Sequence, residues 1–223
     1  MVECQAAAFL VTCRHCANFK NSANHSLLVG GSSPFEISRP LFATAENAGQ
    51  NSAYKLIDLA VVRLTAIEKQ KLSQSFQFVP ESAIEHSTTS CTSDDFAVVG
   101  YPGIEGNLNC FHPATSTITC NVTALPAILD RNYRHHSIDT KPSWYLRLGF
   151  KPFLPFLRTI GFRMRKLNGF SGGPIFRCSE TGSWSFAGIS VETYTRRNKL
   201  TLVGVSSKAV NDVIRHWWDL LVK

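Results

Sequence analysis

The chain lacks any apolar run of the roughly 18–20 residues that a membrane-crossing helix needs. No integral membrane segment is therefore expected. It also lacks a charged leader ahead of a short apolar segment. Its first apolar run, Phe9 to Val11, leads straight into Thr12-Cys13-Arg14-His15, which is not how a signal peptide is built. No internal repeat and no low-complexity tract is present. No nucleic-acid-binding motif occurs either. Lys plus Arg outnumber Asp plus Glu by 23 to 16, a net charge of +7. That excess is spread along the chain except around residues 147–166. It suits solubility or an acidic partner without specifying nucleic acid. The cysteine count of 7 is odd (positions 4, 13, 16, 91, 110, 120 and 178), unlike the even count of a disulfide framework. Together with the missing leader, this favours reduced thiols and a cytoplasmic setting. Secretion is the alternative if an upstream segment precedes Met1.

What is present is an ordinary globular composition, 44% hydrophobic and 17% charged over 223 residues, enough for one or two compact domains. The 15 Phe, with many Val, Ile and Thr, favour strands. Short apolar runs at Leu27–Val29 and Leu41–Ala43, set among Asn, Ser and Gly, predict hairpins and loops. Tyr54–Leu64 reads as a strand buried on both faces. Residues 66–94 have few apolar positions and read as a crossing between two units. Phe96–Gly100 is the next strand, closed by the turn Tyr101-Pro102-Gly103. Thr115–Leu125 is a further strand, followed by a surface loop over 126–143. Trp184–Tyr194 and Lys199–Ser206 are two strands joined by Thr195-Arg196-Arg197-Asn198. Ser207–Leu221 has Val210, Val213, Ile214, Trp217 and Leu221 on one helical face, with Ser207 as its cap.

Three segments carry chemistry. Gly169-Phe170-Ser171-Gly172-Gly173-Pro174-Ile175 sets a serine on a glycine turn, where backbone N–H groups can face an oxyanion. A serine nucleophile needs a base, and the base needs an orienting acid. His15 follows an apolar run, and Asp58 opens another, Leu59-Ala60-Val61-Val62. The chain order is His, Asp, Ser.

On these residues the chain resembles the chymotrypsin-fold (trypsin-like) serine peptidases, nearest to bacterial members. Leu10-Val11-Thr12-Cys13-Arg14-His15, Asp58-Leu59-Ala60-Val61 and Gly169–Ile175 match that family's three motifs. Val98-Val99-Gly100-Tyr101-Pro102-Gly103 matches the strand that opens its second barrel. The resemblance covers about Phe9 to the C-terminus. It implies an all-β fold of two six-stranded antiparallel β-barrels with a C-terminal α-helix. The expected units are an N-terminal barrel over 1–85 carrying His and Asp, a second barrel over 86–206 carrying Ser, and a helix over 207–223. Only 14 residues precede His15, so the first barrel is expected to lack one or two strands. There is no Ile-Val-Gly-Gly-type start, so activation by cleavage to a new N-terminus is not expected.

The implied catalytic residues are His15, Asp58 and Ser171, with an oxyanion hole from the N–H groups of Gly169 and Ser171. The implied substrate is a protein or peptide, and no metal or organic cofactor is required. Ser190 and Val191, on the strand after the serine loop, would line the substrate cleft. Arg165, six residues before the serine, would stand at the base of the specificity pocket and favour an acidic residue before the cleaved bond. Other readings stay open beside these. The fold could be an inactive binding or scaffold module. Cys4, Cys13, His15 and Cys16 suggest a zinc site, but no second ligand pair follows. Cys110 and Cys120 could bridge a hairpin. The aromatic and basic stretch Trp144–Leu167 could meet a membrane surface, although Pro152 and Pro155 interrupt any amphipathic helix there. The alternative for that stretch is strand and loop, with its aromatics filling a barrel.

Overall fold

A computed structural model of the chain describes residues 1–4, 7–13, 26–29, 35–38, 42–43, 58–84, 95–100, 109–112, 117–120, 122–130, 145–150, 169–196 and 199–221. Its centre is a closed antiparallel barrel of six strands: β7 (Asp95–Gly100), β10 (Thr123–Leu129), β11 (Tyr145–Gly149), β12 (Pro174–Cys178), β13 (Trp184–Arg196) and β14 (Lys199–Ser206). Around the barrel the order is β10-β11-β14-β13-β12-β7. Apolar residues alternate along these strands because successive side chains point to opposite faces. On β7, Phe96 and Val98 turn inward, and on β11, Leu146 and Leu148 do. Ile175, Ala187 and Leu202 complete the filling from the other side. Closure leaves no strand edge to be protected.

The second unit is an open sheet, in the order β1-β2-β6-β5. Its strands are β1 (Val2–Cys4), β2 (Ala7–Thr12), β5 (Phe42–Ala43) and β6 (Ala60–Arg63). Two hairpins stand apart as two-stranded sheets, β3 (Ser26–Val29) with β4 (Phe35–Ser38), and β8 (Asn109–His112) with β9 (Thr117–Cys120). The chain is thus mostly β. Among the described residues one barrel closes where two were expected, and the N-terminal unit is a four-stranded sheet. The expected boundary at 85/86 falls within 85–94, outside the described residues.

Both faces of the open sheet are covered, which is why its strands read as continuous apolar runs. Phe9, Val11 and Val61 join a core shared with the outer surface of the barrel (Phe186, Ile189, Val191, Val205) and with the C-terminal helix. Ala8 and Val62, on the opposite face, pack with Leu64 and Leu72. Leu72 belongs to a helix, α1 (Ala66–Ser73). The segment read as a crossing over 66–94 thus opens with a helix. Thr65 Oγ1 accepts from the Glu68 N–H at 3.2 Å, and the Thr65 N–H donates to Glu68 Oε2 at 2.7 Å. This reciprocal capping box starts a helix whose only buried residue is Leu72.

Two further expectations shift. The strand read as Thr115–Leu125 is two strands, β9 and β10, and β10 runs on to Leu129 with Ala127 fully buried. Pro126 lies within it. It faces Ala97 of β7, and the ladder to β11 begins only at Ile128, so its missing N–H falls where a strand tolerates proline. The C-terminal helix, α2, spans Ser207–Leu221 as expected. Its cap is Ser206 rather than Ser207, because Ser206 Oγ accepts from the Ala209 N–H at 3.3 Å. In the β8–β9 hairpin Cys110 faces Thr119 and Cys120 faces Asn109, so the two cysteines are not cross-strand partners. Of the stretch Trp144–Leu167, residues 145–150 are described. They form β11 and its end, and Leu146, Leu148 and Phe150 fill the barrel.

Candidate active site

The serine loop is a tight turn anchored at both ends. Gly173 N–H donates to the Phe170 carbonyl at 3.0 Å, and Gly172 has a φ of 81°. Ser171 therefore occupies the second and Gly172 the third position of a turn that asks for positive φ at its third residue. Phe170 is fully buried in the barrel core and pins the loop from below. From above, the loop is stitched to β13. Gly172 N–H donates to the Ser190 carbonyl at 2.7 Å, and Ser190 N–H donates to the Gly173 carbonyl at 2.8 Å.

Glycine is needed at two of these positions for space as well as for φ. A Cβ on Gly172 would collide with Thr12 Oγ1 and stand 3.6 Å from Cys13 Sγ. A Cβ on Gly173 would run into the Val99 carbonyl. The first contact has the larger consequence, since Thr12 ends β2 and Cys13 follows it. The serine turn of the barrel thus rests on the end of β2, ahead of His15 in the chain.

Ser171 is half-buried, and its hydroxyl donates to the Val191 carbonyl at 3.0 Å. Val191 is the odd residue at a register shift in β13: Ser190 faces Gly204 and Glu192 faces Val203, leaving Val191 unpaired in the ladder. Such a bulge re-aims a backbone group, and here the re-aimed carbonyl meets the serine. Ser190 is buried, and among the described residues its Oγ has no hydrogen-bond partner. An unmet buried hydroxyl costs about 1–3 kcal/mol.

Asp58 lies two residues before Ala60, which faces Thr12 across the β2–β6 ladder. It is half-buried and next to Leu59, which is fully enclosed in the shared core. From the barrel side, Tyr145 at the head of β11 packs against the same core. Its phenol is held above the usual tyrosine range, first by burial and then by the negative charge of Asp58. No sequence signal marked Tyr145. It was one aromatic among several in its stretch, and only the packing of barrel on sheet places it against the shared core.

Of the residues singled out in the sequence, Gly169, Ser171, Ser190 and Val191 therefore stand together on the loop and strand just described. Gly169 is exposed with a φ of 93°. Asp58 stands two residues ahead of β6 of the open sheet. His15 and Arg165 lie outside the described residues, as does Cys16 of the candidate zinc set. Among the described residues no three His, Cys, Asp or Glu side chains gather as a metal site. No helix among them is long and apolar enough to cross a membrane.

No family model matches the chain, and no curated protein matches it. Among solved structures it is similar to a Glu endopeptidase in complex with MPD, with a TM-score of 0.49 and 13% identity, over 94% of this chain and 80% of that one.

Proposed function

We propose that the chain is a serine endopeptidase that cleaves peptide bonds through Ser171, His15 and Asp58. The observation that carries this reading is the seat of the Ser171 turn against Thr12 and Cys13. His15 follows Cys13 by two residues, and two peptide units span at most about 7 Å. That short tether supports a base drawn from the motif that ends in His15. In the proposed reaction the Ser171 hydroxyl swings from the Val191 carbonyl to the His15 imidazole, which takes its proton as Oγ attacks the scissile carbonyl. The protonated imidazole, steadied by the Asp58 carboxylate, then protonates the leaving amine. The N–H groups of Gly169 and Ser171 stabilise the oxyanion, a donor of this kind being worth roughly 10²–10³ in rate. Water then hydrolyses the acyl-enzyme. Ser190 and Val191 border the acyl side of the substrate, and Arg165 sets an acidic preference before the cleaved bond.

A second reading is a non-catalytic binding module. It is favoured by the hydrogen bond from Ser171 Oγ to the Val191 carbonyl, which engages the proton that a base would take. Labelling with a fluorophosphonate probe separates the two. Peptidase chemistry gives labelling of the parent that Ser171→Ala and His15→Ala each abolish. A folded parent that takes no label overturns the peptidase reading in favour of the module. Peptide libraries cleaved after neutral or basic residues would overturn the role given to Arg165.

A further inference from the structure

We infer that Thr12 is a positioning residue for the serine turn, its hydroxyl forming the stop on which Gly172 sits and so setting where Ser171 stands relative to the open sheet. The inference rests on the reading of Ser171 as the nucleophile and deepens it.

Segments far apart in the chain meet at this one side chain. Thr12 ends β2 and faces Ala60 of β6 across the ladder, and Ala60 lies two residues past Asp58. In the chain Thr12 stands three residues ahead of His15. Its Oγ1 occupies the place that a Cβ on Gly172 would take, next to Ser171. The barrel ties the turn on its other sides. Gly172 N–H is bound to the Ser190 carbonyl, Gly173 N–H to the Phe170 carbonyl, and Phe170 is fully buried. From the sheet the turn meets Thr12 and Cys13. The same Cβ position lies 3.5 Å from Cys13 N and 3.6 Å from Cys13 Sγ. The Thr12 oxygen is the nearest of these atoms, so it sets how close the turn comes to β2.

Threonine suits this task in two ways. Its branched side chain is stiff at χ1, so a half-buried hydroxyl keeps a fixed place. An oxygen also lets a Cα–H group approach to about 3.3–3.6 Å, closer than the roughly 3.5–4.0 Å between carbon atoms. A methyl in its place holds the turn away from β2, and its removal lets the turn sink toward β2. Either shift moves the nucleophile, and attack needs the reacting atoms held about 3–3.5 Å apart.

The test is Thr12→Val, which keeps the branched shape and replaces the hydroxyl by a methyl. The expected result is a roughly ten-fold fall in kcat and in probe-labelling rate, with KM unchanged. Thr12→Ser, which keeps the oxygen, should restore most of the lost rate. A double-variant cycle reads the contact itself. Gly172→Ala sets a methyl against Oγ1, and Thr12→Ala takes that oxygen away. The double variant should therefore label faster and melt higher than Gly172→Ala alone, although Thr12→Ala by itself lowers both. A parental rate in Thr12→Val, or a Thr12→Ser no faster than Thr12→Val, would overturn the inference while leaving the peptidase reading intact. Additive effects in the double variant would overturn it too. A folded parent that takes no label would overturn the peptidase reading and with it the positioning role, even where the thermal midpoints show Thr12 and Gly172 to be coupled.

Discussion

Each glycine of the serine loop answers to a different neighbour. Gly172 combines positive φ with the Thr12 contact, so Gly172→Ala meets two penalties at once. The left-handed backbone alone costs about 1–2 kcal/mol in an L-residue, and the turn must also lift away from β2. A lower thermal midpoint together with loss of probe labelling is expected. Ser190 should behave in the opposite way. Its buried hydroxyl has no partner among the described residues, so Ser190→Ala should leave stability unchanged or raise it by up to about 1 kcal/mol, as read by urea denaturation. A clear loss of stability would mean the hydroxyl is satisfied in solution. Tyr145 carries a pH signature. Its folded ionisation lies above the unfolded value of 10.0, so the folded state holds the proton more tightly. Stability is unaffected by this group below pH 10.0 and falls as pH rises through that value toward the folded one. Tyr145→Phe should flatten that alkaline slope in denaturant titrations.

At the scale of the element, α1 shows how local chemistry can build a helix with little help from burial. Thr65 and Glu68 satisfy two of its open N–H groups, and Leu72 is its one buried anchor. Thr65→Ala should cost about 1 kcal/mol, measured as a shift in urea midpoint at constant slope. The Lys69–Glu3 ion pair, 2.7 Å between two side chains more than a third exposed, should add little by comparison. The same segment shows where reading by apolar periodicity fails. A helix with one buried residue has no apolar stripe to detect, whereas Thr65-Ala66-Ile67-Glu68 carried the capping signal in plain view. Helix α2 is the converse case, with Val210, Val213 and Ile214 on the shared core, and its periodicity was legible throughout.

For the molecule as a whole, the decisive feature is that the sheet, the outer face of the barrel and α2 share one core. Phe186 is a buried member of it, edge-to-face with Phe176 at 6.4 Å between ring centroids. Phe186→Ala should cost about 3–5 kcal/mol. Because that core also carries Leu59, Val191 and Tyr145, the substitution should lower probe labelling at denaturant concentrations where the barrel strands still show their β-sheet signal by circular dichroism. Retained labelling under those conditions would mean that the candidate site survives without the docking of the two units.

The parts whose physics is local could be read from the chain alone. Alternation wrote the barrel strands, three- and four-residue spacing wrote α2, and the glycines around Ser171 wrote the turn, because each depends on neighbours within a few positions. The candidate site was legible as residue types in an order, His15, Asp58 and Ser171. Which backbones and side chains meet was settled by the folded arrangement. The closure of one barrel beside an open sheet, the seat of Gly172 on Thr12, the grip of the Val191 carbonyl on Ser171, and the packing of Tyr145 on the shared core all join segments far apart in the chain. Such contacts follow from the docking of two sheets across a common core, and no short window of sequence encodes them.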